Sequence, residues 1–245
     1  MNFLTETVIG ILLPFVGTTV GAATVFFMKN RSNPRFHRAM LGFAAGVMTA
    51  ASVWSLLIPS IESAGSWIPA VTGFLVGTAA MTALDAVVPT PEPNKEPKLG
   101  ENLLLFIAVT LHNIPEGMAV GVAFAGALSG VLPISEALTL SIGISVQNFP
   151  EGTIISAPLV TDGMSKRKAF AYGVLSGAVE PVASIITVLL TWLVAPILPF
   201  VLSFAAGAMI YVVSQELIPE AKSRIGTAGT AVGFALMMLL DVAMG

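Results

Sequence analysis

Hydrophobic residues make up 55% of this 245-residue chain, charged residues only 10%, and mean hydropathy is +0.89. Soluble domains carry roughly 25% charged residues, so the composition excludes a water-soluble domain. Its unbroken apolar runs exclude an outer-membrane barrel, whose strands alternate apolar and polar. Cysteine is absent, which rules out disulfides and thiolate metal sites. The net charge of −3 matters less than where the charges lie.

Apolar runs of about 20 residues each cross a bilayer. Eight occur, at 6–28, 37–58, 66–88, 102–126, 134–159, 168–192, 196–219 and 226–244. The expected fold is therefore all-α: one polytopic bundle of eight transmembrane helices over 1–245. The first run lacks a basic flank and is long enough to span, so it reads as a transmembrane helix and not as a cleavable signal. Between the sixth and seventh runs, Ala195-Pro196-Ile197-Leu198-Pro199 is itself apolar, and its prolines mark the turn. The longest hydrophilic loop, 89–101, holds four prolines and no histidine. It reads as an extended linker, not a metal tether.

With eight helices, the connections after the first, third, fifth and seventh share one side of the membrane. Those loops and adjoining helix ends hold all 11 basic residues: Lys29, Arg31, Arg35, Arg38, Lys95, Lys98, Lys166, Arg167, Lys168, Lys222 and Arg224. The positive-inside rule puts that side in the cytoplasm and both termini outside the cell membrane. Trp54, Trp67 and Trp192 all fall toward the opposite face, as an interfacial belt would.

The chain also repeats itself. Phe43-Ala44-Ala45-Gly46-Val47-Met48 recurs as Phe204-Ala205-Ala206-Gly207-Ala208-Met209, and each is followed by Leu-Ile-Pro, at 57–59 and 217–219. Gly77 and Asp85 are echoed by Gly233 and Asp241. The second and seventh helices run in opposite directions, so the repeat is inverted, and the arrangement is three helices, a central pair, then three helices. Inverted repeats with interrupted helices near the midplane characterise transporters.

The central pair carries the chemistry. His112-Asn113-Ile114-Pro115-Glu116-Gly117 and Gln147-Asn148-Phe149-Pro150-Glu151-Gly152 begin 35 residues apart. In each motif the first two residues and the Glu are spaced to share one helix face. Proline before each Glu has no N–H, so the carbonyls of Leu111 and Val146 lose their helical partners. Carboxylates at bilayer depth mark a functional site by default. Facing each other, these helices would offer one imidazole, two carboxylates and three amide oxygens, a donor set suited to zinc and similar divalent ions. Glu180 adds a further carboxylate and Met48 a soft thioether. Shared between two ions, Glu116 and Glu151 would bridge a half formed by Met48, His112 and Gln147 and a half formed by Asn113, Asn148 and Glu180.

These motifs, with Phe43 to Met48, Glu180-Pro181 and Gln215 to Glu220, resemble the ZIP (Zrt/Irt-like protein) family of divalent metal transporters, in its prokaryotic GufA-like branch. The resemblance covers nearly the whole chain. It implies eight helices, an intramembrane metal centre, flux into the cytoplasm and often a homodimer. Zinc is the usual substrate, with cadmium, iron and manganese as further ones. Its metal ligands map onto Met48, His112, Asn113, Glu116, Gln147, Asn148, Glu151 and Glu180. Asp85, Glu216 and Glu220 are left as exit-path candidates. Two positions depart from relatives: Asn148, where some carry Asp, and Gln215, where some carry His.

Two other functions fit the sequence less well. An intramembrane metalloenzyme needs a zinc-activated water held by firm ligands, as in His-Glu-x-x-His, and this chain has two histidines and no such motif. A cation-coupled carrier of small organic anions would want basic residues at the midplane, and no Lys or Arg lies in a helix middle. Nothing points to nucleic acid or ATP.

Overall fold

The computed structural model describes residues 2–28, 34–87, 99–161 and 163–244. Lys29, Arg31, Lys95, Lys98 and most of the loop 89–101 lie outside the described residues. Among those described, the chain is helical throughout, without strands. The helices are α1 (Phe3–Ala23), α2 (Pro34–Ala51), α3 (Ile58–Ala64), α4 (Trp67–Val87), α5 (Leu99–Leu128), α6 (Ile134–Thr161), α7 (Lys166–Gly177), α8 (Val179–Leu189), α9 (Thr191–Val194), α10 (Leu198–Val212), α11 (Ile218–Ala221) and α12 (Arg224–Met244). They join end to end into eight rods: α1, α2–α3, α4, α5, α6, α7–α8, α9–α11 and α12. Six rods are apolar and long enough to cross a membrane by composition alone. The other two, α5 and α6, run 30 and 28 residues and carry the polar motifs. The chain is a multi-pass helical membrane protein.

Packing follows the inverted repeat. The closest pairings are α2 with α12, α4 with α10, α1 with α6, and α5 with α8. Exchanging the first three rods with the last three, and α5 with α6, maps each of these pairings onto another. Two four-rod bundles result. One holds the first, fourth, fifth and sixth rods, and the other the second, third, seventh and eighth. They meet chiefly where α2 touches α6 and where α10 touches α5, a pair that the same exchange also interconverts.

Glycine sets these crossings. A Cβ on Gly46 would lie 2.1 Å from the carbonyl oxygen of Thr230, and one on its repeat mate Gly207 would lie 2.1 Å from that of Phe74. In return, Gly233 abuts the Phe43 carbonyl and Gly77 the Phe204 carbonyl. The short Phe-Ala-Ala-Gly echo and the Gly77/Gly233 echo are thus the two sides of two equivalent backbone contacts, the small-residue packing that membrane helices use.

Two irregularities carry the same symmetry. α2 passes into α3 through a π-helical turn at Ser52–Leu57, and α10 into α11 through another at Val213–Leu217. Each precedes an Ile-Pro step. Pro59 and Pro219 cannot donate to the carbonyls four residues earlier and would clash with them, and the wider turn relieves that. Between the sixth and seventh rods the helix breaks at Leu190 (φ −92°, ψ 18°) and again at Ile197 (φ −118°, ψ 18°). The connection is therefore a short helix and a 3-10 turn, not a single proline kink.

The ends of the bundle are tied. Lys166 Nζ donates to the carbonyls of Met28 (2.9 Å) and Phe26 (3.3 Å), joining two basic connections on one face. On the opposite face Ser60 Oγ donates to the carbonyl of Pro199. Trp67 and Trp192 are exposed there, whereas Trp54 packs edge-on against Phe234 with ring centroids 5.3 Å apart.

Candidate metal centre

The two Pro-Glu-Gly helices meet deep in the protein. Gln147 Nε2 donates to Glu116 Oε1 across 3.0 Å, so the first residue of one motif binds the glutamate of the other. The glycine after each glutamate admits a neighbouring backbone. A Cβ on Gly117 would lie 2.3 Å from the Glu180 carbonyl oxygen, and one on Gly152 2.0 Å from that of Thr18. The motifs thereby seat α5 on α8 and α6 on α1. Ser184 Oγ reinforces the first seat, donating to the Gly117 carbonyl at 2.7 Å.

Met48, Asn113, Glu116, Gln147, Asn148 and Glu180 are each 2% exposed or less, and Glu151 is 8% exposed. Such groups need partners, and the partners here are one-sided. Asn113 Nδ2 donates to the Ser176 carbonyl (3.0 Å), Gln147 Nε2 to Glu116, and Asn148 Nδ2 to Glu180 Oε2 (2.8 Å). The amide nitrogens are used, while Asn113 Oδ1, Gln147 Oε1, Asn148 Oδ1 and Glu116 Oε2 receive no hydrogen bond among the described residues. Glu116, Glu151 and Glu180 lie within electrostatic range of one another, and Glu151 also feels Glu216. Buried carboxyl groups beside bare carbonyl oxygens are an environment that a cation relieves.

Of the residues expected at the centre, the structure brings together Glu116, Gln147, Glu151, Asn148 and Glu180. Asn113 sits one turn before Glu116 on α5. Met48 is buried on α2, the helix that contacts α6 from the other bundle. The backbone of residue 112 is in α5, but the His112 side chain lies outside the described residues. Among the described residues no three His, Cys, Asp or Glu side chains close on one point. The remaining donors are amides and a thioether.

The expected exit residues are spread out. Asp85 Oδ2 accepts a 2.7 Å hydrogen bond from Tyr211. Glu216 is half-buried in the second π turn, and Glu220 is exposed. Ser55 Oγ donates to Asp241 Oδ1 at 2.9 Å. Tyr211–Asp85 and Ser55–Asp241 thus sit at opposite ends of the same bundle, joining the third rod to the seventh and the eighth to the second.

Sequence reasoning missed Thr18. Its hydroxyl donates to Glu180 Oε1 at 2.9 Å, covering the oxygen that Asn148 leaves. The only signal was Gly17 and Gly21, whose small-xxx-small spacing marks a close helix contact. Both abut α6, at the carbonyls of Ser145 and Phe149.

A bundle with oppositely directed halves and carboxylates held at bilayer depth is the architecture of a secondary transporter. The ZIP Zinc transporter family matches residues 95–241. Zinc transporter ZIPB of Bordetella bronchiseptica is 37% identical over 97% of this chain and 81% of its own. Zinc transporter ZIP11 of Xenopus tropicalis is 35% identical over 98% of this chain and 97% of its own. Zinc transporter GufA of Myxococcus xanthus is 32% identical over 96% and 97%. This chain belongs to the ZIP family.

Proposed function

We propose that this protein carries divalent metal ions, zinc foremost, across the cell membrane into the cytoplasm, through a site centred on Glu116, Gln147 and Glu151. His112 and Met48 complete that site, and Asn113, Asn148 and Glu180 adjoin it. The observation that carries this reading is the pair of buried, donor-free oxygens Glu116 Oε2 and Gln147 Oε1, left bare by the one hydrogen bond that joins the two side chains. Lone pairs without protons, near carboxylates, suit an ion that must be held and then released. Cadmium, iron and manganese are candidate competitors. The names of the relatives support zinc and give no support to an enzyme or an organic-anion carrier.

The basic face is cytoplasmic on the positive-inside rule, with both termini on the other side. The inverted packing supports alternating access: the bundle that carries both Pro-Glu-Gly helices moves against the bundle that carries Met48. Zinc uptake into sealed proteoliposomes tests the reading. Saturable uptake that Glu151→Ala and Glu116→Gln abolish is expected. Uptake no greater than in empty vesicles, from folded and inserted protein, would overturn it.

A further inference from the structure

We infer that this chain binds one metal ion in its centre, not two, and that Asn148, Glu180 and Thr18 form a metal-free clasp where a second ion would lie. The inference rests on the metal site proposed above and specifies its stoichiometry.

Glu180 is fully buried, and both of its oxygens already have donors. Thr18 Oγ1 reaches Oε1 at 2.9 Å and Asn148 Nδ2 reaches Oε2 at 2.8 Å. The orientation of the Asn148 amide is fixed by chemistry. Its nitrogen faces a carboxylate and, at 3.4 Å, the carbonyl of Pro14, two acceptors that its own oxygen could not approach. Each Glu180 oxygen thus spends a lone pair on a fixed donor, and a cation reaching it from the residue-148 side would meet the Asn148 N–H and not a ligand oxygen. The amide proton of Asn148 thus stands where a cation would otherwise bridge residue 148 to Glu180.

The other half of the centre is built differently. There Gln147 donates once to Glu116 Oε1, while Glu116 Oε2 and Gln147 Oε1 remain without donors. The difference lies in the carboxyls: Glu180 has a donor on each oxygen, whereas Glu116 keeps one oxygen for an ion. The closed half lies within a single bundle, linking α1, α6 and α8. Gln147 of the open half lies on α6, the helix that α2 contacts across the divide between bundles. The clasp therefore keeps the moving unit together whether or not an ion is loaded.

Asn148→Asp converts the clasp. A carboxylate in place of the amide would face Glu180 and the Pro14 carbonyl with acceptors only, and a cation would hold them. The test is zinc stoichiometry of the purified full chain by equilibrium dialysis, with Glu116→Gln/Glu151→Gln as the blank for adventitious surface zinc. Above that blank, one zinc per wild-type chain, one for Glu180→Gln and two for Asn148→Asp are expected. Glu180→Gln keeps an acceptor for Asn148 Nδ2, and its own amide can donate to the Thr18 hydroxyl, which turns to the Pro14 carbonyl at 3.3 Å, so the outcome does not depend on Asn148→Asp folding. Two zinc ions on the wild type, falling to one in Glu180→Gln, overturn the clasp but leave the metal site standing. No zinc above the blank overturns the metal site itself.

Discussion

Gln147 of α6 donates to Glu116 of α5 across 3.0 Å, and the same glutamate keeps a second oxygen free of any donor. One hydrogen bond fixes the carboxylate and leaves half of it for an ion. Gln147→Ala removes both the fixing bond and an amide oxygen. Losing even an orienting partner of a metal ligand costs about 10–100-fold in affinity. Zinc dependence of proteoliposome uptake should therefore shift by at least that factor. An unchanged half-saturating concentration would remove Gln147 from the site.

The glycine seats predict a steric pattern. Gly152→Ala sets a Cβ 2.0 Å from the Thr18 carbonyl oxygen, against backbone that cannot step aside. Overpacking of this kind costs about 1–3 kcal/mol, and here it also pushes α1 from α6 and loosens the clasp. Gly130→Ala is the comparison. That residue has φ +73° in a connection, and a Cβ there meets nothing within 4 Å, so its cost is backbone strain alone. Gly152→Ala should lose both thermal stability in detergent and uptake, whereas Gly130→Ala should keep uptake. Equal effects of the two substitutions would refute the seat.

Much of this architecture is legible in the sequence, because small residues at helix crossings leave a trace. Phe43 to Met48 and Phe204 to Met209 repeat because Gly46 and Gly207 make equivalent contacts, and Gly77 and Gly233 answer them. The polar motifs stand out because glutamate is rare at bilayer depth. Thr18 was not legible: threonine is ordinary in an apolar helix, and its role comes from Glu180, 162 residues away. The π turns were half-visible as paired Leu-Ile-Pro steps, since proline announces a broken bond but not how the helix absorbs it. The sixth connection was placed by its prolines, yet the first break comes at Leu190, where no proline stands.

The hydrogen bonds at the two ends of the second bundle make a thermodynamic prediction. Tyr211→Phe removes the donor to Asp85, and Ser55→Ala removes the donor to Asp241. A hydrogen bond of this kind contributes about 1 kcal/mol. The two pairs share no residue and lie at opposite ends of the bundle, so their losses should add to within about 0.5 kcal/mol in the double variant. Denaturant unfolding in detergent measures this. A double variant no worse than either single one would mean that the ends are coupled through the rods.

The absence of cysteine allows a direct test of which rods move together. Thr24 and Thr153 have hydroxyls 3.2 Å apart and join the first rod to the fifth within one bundle. Thr24→Cys/Thr153→Cys places two sulfurs where those hydroxyls meet, and oxidation should leave zinc uptake intact because the bridge spans parts that travel as one. Gly143 and Met237 lie across the divide. A Cβ on Gly143 would be 3.9 Å from Met237 Cγ, the position a cysteine sulfur takes, near enough for a sulfur carried on residue 143 to meet it. Oxidised Gly143→Cys/Met237→Cys should stop uptake, and a reductant should restore it. If the bridge across the divide leaves uptake untouched, the bundles do not move against each other along that seam. If the bridge within one bundle stops uptake, the first and fifth rods must separate during transport, and the clasp that joins α1, α6 and α8 must open with them.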